Sequence, residues 1–272
     1  MKTENLIVEF YNGMKRKVRV LLPEDYKTSG NTYPALYMFD GQNVISPRES
    51  YTGTTWGVKE ALEDLQKKGI VQPMIIIAID HAEEMRLSEY SPFNLDLEGQ
   101  KIEGEGAIFS DFLVKKLIPW LEEKYPLESD PSARALAGSS MGGLITAYTA
   151  MKHPHVFSAF GVFSLCSWVG REKFMSFVKA NSVNCGCRFF VQVGTREGLN
   201  TETGQEDGEV SRNYLKDSLE FVDALREKGV QPNNIHFIQG QGDWHSEEVW
   251  RKYMPEFLLW LKNEEIDLQQ AL

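Results

Sequence analysis

Cysteine is scarce in this chain: 272 residues carry only Cys166, Cys185 and Cys187. So few, and an odd number, cannot build a disulfide framework, and the expected location is a reducing compartment, the cytoplasm. Cys185-Gly186-Cys187 matches neither a zinc-knuckle nor a C-x-x-C redox spacing, and no further His or Cys follows nearby. It reads as incidental, so no metal is expected. Long apolar runs are missing as well, and none approaches the roughly 18–20 residues that a membrane span needs. Met1-Lys2-Thr3-Glu4-Asn5 leads into a strand pattern and lacks the apolar centre of a signal peptide. Positive charge is in deficit, with 29 Lys+Arg against 39 Asp+Glu, a net charge of −10. Without a basic stripe, neither nucleic acid nor an anionic membrane is an expected partner. Repeats, linkers and low-complexity tracts are absent too, which implies a single domain over residues 1–272.

What is present is strand–helix alternation. Leu6–Phe10 and Lys17–Leu22 flank Asn12-Gly13, the signature of a hairpin with a tight turn. Tyr33–Asp40 and Met74–Asp80 are nearly continuous apolar runs, as in strands covered on both faces. Trp56–Lys68 has helical spacing, with Thr54 or Thr55 as cap and Gly69 as stop. Ile108–Tyr125 carries Phe109, Phe112, Leu113, Leu117 and Leu121 on one helical stripe. Further strands are predicted at Ala133–Ala137, Ala159–Ser164, Phe189–Val193 and Ile235–Gln239. Helices are predicted at Met141–Met151, Arg171–Lys179, Val210–Lys228 and Ser246–Leu261. The polar stretches His81–Gly106 and Thr195–Glu209 have no periodicity and read as loops that cap a pocket. A chain of this mass buries about three-quarters of its unfolded surface, enough for one large core. The pattern implies a three-layer α/β/α sandwich with a mostly parallel sheet and ligands at the carboxyl ends of its strands.

One motif stands at such a strand end. Gly138-Ser139-Ser140-Met141-Gly142 is a G-x-S-x-G sequence between a short strand and a helix of small residues. There a serine occupies a cramped turn, flanking glycines let the backbone pass, and the hydroxyl is exposed at a helix N-terminus. Such a hydroxyl needs a base. The order Ser, acid, His removes His81, His153 and His155; the latter two read as caps of a helix end. Of the remaining pair, His236 falls inside a strand and His245 lies on the loop beyond it, so His245 is the expected base. Glu197, the first carboxylate after the Phe189–Val193 strand, is the expected orienting acid, with Glu202, Glu206 and Asp207 on the same loop left open. The backbone N–H of Met141 and that of Gln42, in Asp40-Gly41-Gln42-Asn43, are the expected oxyanion donors. Trp56, Tyr90, Phe93 and Trp168 are candidate aromatics of a substrate pocket.

Together with these residues, several other stretches carry a family resemblance by their order. They are Leu36–Asn43 with Trp56, Arg86 with Glu89-Tyr90, Pro119 with Lys124-Tyr125-Pro126, and the Gly138–Gly143 turn. Pro154 with Val156-Phe157, Ser164 near Trp168, Gly194–Gly198, and His245 with Trp250 complete the set. The chain resembles, over most of its length, the putative esterase branch of the α/β-hydrolases, which includes esterase D, enterochelin esterase, feruloyl esterase modules and mycolyltransferases. The resemblance implies a sheet of about eight strands, one N-terminal strand antiparallel, and a serine esterase acting through an acyl-enzyme. Two departures stand out: the acid is Glu rather than Asp, and no cysteine follows Asp40-Gly41 as in the formylglutathione enzymes. The second speaks against a formylglutathione substrate.

The expected substrate is therefore a small or medium ester, with no cofactor. Siderophore trilactones and acetylated or feruloylated carbohydrates are alternatives within the chemistry. A catalytically inactive binding protein on the same fold is the alternative outside it. Oligomeric state leaves no mark on the sequence. Glu83, Glu84, Glu89, Glu202, Glu206 and Asp207 all fall in the two presumed capping loops. They predict that neutral or cationic esters enter more readily than anionic ones.

Overall fold

The computed structural model describes residues 1–97 and 99–262. In chain order its elements begin β1 (Lys2–Glu9), β2 (Lys15–Leu22), β3 (Ala35–Phe39), α1 (Gly41–Ile45), α2 (Val58–Lys67) and β4 (Ile75–Ile79). Next come α3 (Arg86–Tyr90), β5 (Leu95–Leu97), β6 (Gln100–Ile102), α4 (Gly106–Phe112), α5 (Ile118–Lys124), β7 (Arg134–Ser139) and α6 (Met141–Lys152). The chain continues through β8 (Ala159–Phe163), α7 (Arg171–Ala180), β9 (Arg188–Gly194), α8 (Gly208–Glu227), β10 (Ile235–Gly240) and α9 (Glu247–Leu261).

Eight strands form one sheet in the order β1-β2-β4-β3-β7-β8-β9-β10. β2 pairs antiparallel with both neighbours, and the pairings from β4 to β10 are parallel. Parallel strands need crossover helices on both faces, so the central strands must be apolar on both sides. β3 and β4 are accordingly buried at every residue, whereas the edge strand β1 alternates between exposed and half-buried positions. Residues of α2 and α9 pack on one face around Leu62, Trp250 and Phe257. On the other face lie Phe109, Leu121, Leu144, Phe174 and Phe221 from the remaining long helices. This is the expected α/β-hydrolase architecture.

Local differences have physical causes. The first hairpin turns through five residues, because Glu9 pairs with Lys15 and Gly13 takes a left-handed φ of 75°. α2 starts at Val58, after Gly57 in a left-handed conformation, so Trp56 lies outside it and neither threonine caps it. The helix expected over Ile108–Tyr125 is divided by a π-helical turn at Leu113–Leu117. Pro119 follows that turn, and its missing N–H makes a regular helical ladder impossible there. His153 does not cap carbonyls with its ring, which instead lies 3.0 Å from Asp111. Residues 81–106 are not an open loop either: they fold into a 3₁₀ turn, α3 and the β5–β6 hairpin, and bury Tyr90, Ser91 and Leu95. Among the described residues, no helix is long and apolar enough to cross a membrane.

Candidate active site

β7 ends in a turn that only its sequence permits. A Cβ on Gly138 would stand 2.5 Å from the Gly142 carbonyl oxygen, so the strand and the first turn of α6 touch through bare backbone. Ser140 sits at the crossing with φ 57° and ψ −124°, a conformation that costs on the order of 1–3 kcal/mol for a residue with a side chain. Its N–H donates to the Phe163 carbonyl at 3.0 Å, which ties the strained turn to β8. The hydroxyl itself lies 3.5 Å from the Tyr214 hydroxyl and, among the described residues, makes no hydrogen bond to a histidine.

The histidine reaches the same place from the other side of the sheet. Gly194 ends β9, and a Cβ there would stand 2.3 Å from the Asp243 carbonyl oxygen. That close approach lets the loop after β10 run beside the loop after β9, and Arg196 N–H bonds Asp243 O at 2.9 Å. The two loops bring together Glu197 and His245, whose Oε2 and Nδ1 are 2.7 Å apart. The other oxygen of Glu197 accepts from Ser164 Oγ at 2.7 Å and from Gly194 N–H at 2.6 Å. Ser164 Oγ in turn accepts from the Trp250 indole at 3.0 Å. Glu197 is thus buried, with three donors around its carboxylate and no cation among the described residues. The His245 ring lies between Tyr214 at 4.9 Å and Trp250 at 5.0 Å between centroids, the latter edge-on.

Ser140 and His245 line one cavity of about 390 Å³, together with Asp40, Asn43, Tyr51, Thr52, His81, Arg86, Ser139, Glu247 and Trp250. A larger groove of about 610 Å³ shares Asn43, Tyr51 and His81 with it but does not reach Ser140. Asp40 and Asn43 flank the Gly41-Gln42 turn at the cavity wall. Asp40 adopts a left-handed φ of 56°, and both its oxygens are held by Arg86 at 2.7 and 2.8 Å. Its N–H donates to the Tyr90 hydroxyl at 3.2 Å, and Gln42 Oε1 accepts from His81 N–H at 3.2 Å. The N–H groups of Gln42 and Met141 have no acceptor among the described residues. Burial pushes the His81 imidazole below its usual range and the Tyr214 phenol well above its own.

Not every residue singled out in the sequence comes to this cavity. Trp56 is 1% exposed and belongs to the core, packed between Phe163 and Trp250. Tyr90 is wholly buried and acts on the Asp40 turn instead of facing the cavity. Trp168 packs edge-on against Tyr214, and Phe93 against Tyr148 and Phe177. Trp56 and Tyr90 are thus core rings, where large apolar area is most stabilising, whereas Phe93 and Trp168 are half-buried. His236 packs on Phe190 and meets Glu256 of α9 at 2.8 Å. Glu206 pairs with Arg196 and Asp207 caps α8, while Glu202 is exposed. None of the six loop acids lines the cavity: Glu83 borders the larger groove, and Glu89 is buried beside Arg16 at 3.4 Å. The residues missed from sequence are Asn43, Tyr51, Thr52, Tyr214 and Glu247. Only Glu247 had a usable signal, since it stands two residues after His245 at the start of a helix.

The family described as Putative esterase matches residues 11–261. The uncharacterized protein YbbA of Bacillus subtilis (strain 168) is 26% identical over 250 residues, which cover 90% of this chain and 92% of that protein. Esterase Rv1288 of Mycobacterium tuberculosis (strain ATCC 25618 / H37Rv) is 31% identical over 150 residues, 54% of this chain and 28% of its own length. In three dimensions, the IroE-like serine hydrolase from Shewanella oneidensis superposes with a TM-score of 0.72 at 18% identity, over 95% of this chain and 79% of the other. That likeness concerns the fold.

Proposed function

This chain belongs to the Putative esterase family and is a carboxylic ester hydrolase; we propose that it works in two steps through an acyl-enzyme on Ser140. In the first step the Ser140 hydroxyl turns from Tyr214 to His245, gives up its proton to Nε2, and attacks the ester carbonyl. The tetrahedral oxyanion is met by the free N–H groups of Met141 and Gln42. His245 then protonates the departing alcohol. In the second step it takes a proton from water, whose oxygen attacks the acyl-enzyme and releases the acid. Glu197 fixes the imidazole with Nδ1–H toward itself and stabilises the imidazolium.

The observation that carries this reading is the 2.7 Å contact of Glu197 with His245 at the wall of the cavity that holds Ser140. A cavity of about 390 Å³ that sets Tyr51 and Trp250 beside Asn43, Thr52 and Arg86 suits a small or medium ester. Three free cysteines agree with a cytoplasmic setting. Labelling with a fluorophosphonate tests the proposal: wild type should take one adduct at Ser140 and hydrolyse short p-nitrophenyl esters, and Ser140→Ala should do neither. Hydrolysis retained by Ser140→Ala overturns it. An intact wild type that neither labels nor turns over would be a binding protein on this fold.

A further inference from the structure

Charge in the Ser140 cavity does not balance. Arg86 is neutralised by both oxygens of Asp40. His81 is kept in its neutral form near pH 7 by burial. That leaves Glu247, which lines the cavity at 5% exposure. Its Oε1 accepts from the Asn43 amide at 2.8 Å and its Oε2 from the Thr52 hydroxyl at 2.9 Å. Both donors are neutral, and a carboxylate offers about four lone-pair sites, so acceptor capacity remains. No cation among the described residues lies within ion-pair distance of it. Of the other deeply buried carboxylates among the described residues, Asp40, Glu89 and Asp217 each have an arginine, Asp243 has Lys252, and Glu197 has the His245 imidazole.

A buried carboxylate without a counterion is costly. The N-terminus of α9 offsets part of that cost, but Glu248, one residue on and exposed, serves the helix end equally well. Nothing in the helix requires the second acid to face a cavity. Hydroxyl groups of a neutral ligand would fill its hydrogen bonds and leave its charge uncompensated. We propose that Glu247 binds a positively charged group, an ammonium or guanidinium, carried on the same small molecule as the scissile ester. The inference rests on the Ser140 reading above and narrows its substrate class to cationic esters. At about 390 Å³ the cavity is near the small end of ligand sites, so charge and ester belong to one compact substrate.

The test compares kcat/KM within two isosteric pairs. One carries the charge on the alcohol, acetylcholine against 3,3-dimethylbutyl acetate. The other carries it on the acyl group, p-nitrophenyl 4-(trimethylammonio)butyrate against p-nitrophenyl 5,5-dimethylhexanoate. Wild type should favour the cationic member of at least one pair by about tenfold or more. Glu247→Gln should abolish that preference, and Glu248→Gln should keep it. A preference below tenfold in both pairs, or one that survives Glu247→Gln, overturns the proposal. Should Glu247→Gln fail to fold, wild-type labelling decides: protection by tetramethylammonium and not by tert-butanol supports the site, and equal effects overturn it. Fluorophosphonate labelling separates the two layers of the argument. No adduct and no turnover on any ester refutes the Ser140 reading, whereas turnover by Ser140 that ignores charge refutes only the Glu247 site.

Discussion

Ser164 holds Glu197: its hydroxyl donates to Oε1 at 2.7 Å while Oε2 of the same carboxylate meets His245. Ser164 itself has a left-handed φ of 45°, so its place at the end of β8 is fixed at some conformational cost. Ser164→Ala removes one of the hydrogen bonds to the carboxylate, from a neutral donor, and should lower kcat about 5- to 10-fold with little change in KM. Glu197→Gln presents an amide to the imidazole and should lower kcat about 10⁴-fold. Steady-state kinetics on p-nitrophenyl acetate checks both, and a Ser164→Ala enzyme with full kcat would show that Gly194 N–H alone suffices to orient Glu197.

In the proposed mechanism Tyr214 competes with His245 for the Ser140 hydroxyl. Tyr214→Phe keeps the ring against His245 and deletes only the hydroxyl 3.5 Å from Ser140. Releasing a hydrogen bond of this kind should raise the second-order rate of fluorophosphonate labelling about 5-fold. A slower rate would mean that the phenol assists the attack instead of restraining it.

Trp56 supports the fold without touching the cavity. Trp56→Ala should cost about 3–5 kcal/mol of stability, as expected for an excised core aromatic. KM for small esters should stay at its wild-type value. Urea unfolding and kinetics measured on the same preparation separate the two effects.

Burial pushes the Glu89 carboxyl up to about 7, against the pull of Arg16. A carboxyl raised in the fold binds a proton that the unfolded chain releases. Its contribution to stability is therefore complete below about pH 4.5 and lost as pH rises to about 7. The slope in that window is on the order of 1.4 kcal/mol per pH unit, and Glu89→Gln should remove it. Unfolding free energies from pH 5 to pH 8 for wild type and variant provide the check; parallel curves would mean that Glu89 stays ionised throughout.

Most of the architecture was legible because its signals are local. Ile75–Ile79 cannot be mistaken for anything but a strand covered on both faces, and Gly138–Gly142 announces its turn through the glycines that crowding demands. Ser140, Glu197 and His245, on which the proposed mechanism rests, could be singled out as candidates because each follows a strand, and strand ends face one rim of a parallel sheet. The cavity wall was not legible for the opposite reason. Asn43, Thr52 and Glu247 meet across some 200 residues, and no spacing within the chain encodes such contacts. Aromatic side chains misled, since Trp56 and Tyr90 are large enough to line a pocket or to fill a core. Residues 81–106 misled because their elements are three to five residues long, too short for any period to repeat.

The bidentate grip of Arg86 on Asp40, with Tyr90 on the backbone of the same residue, makes the 81–106 segment and the turn after β3 one mechanical unit. Specificity in such enzymes is often imagined as a matter of exchanging surface loops between relatives. Here a graft that replaced residues 81–106 without a matching partner for Asp40 would release the very turn that bears Gln42. The modular piece for divergence or engineering is therefore larger than the loop, and has to travel with the end of β3.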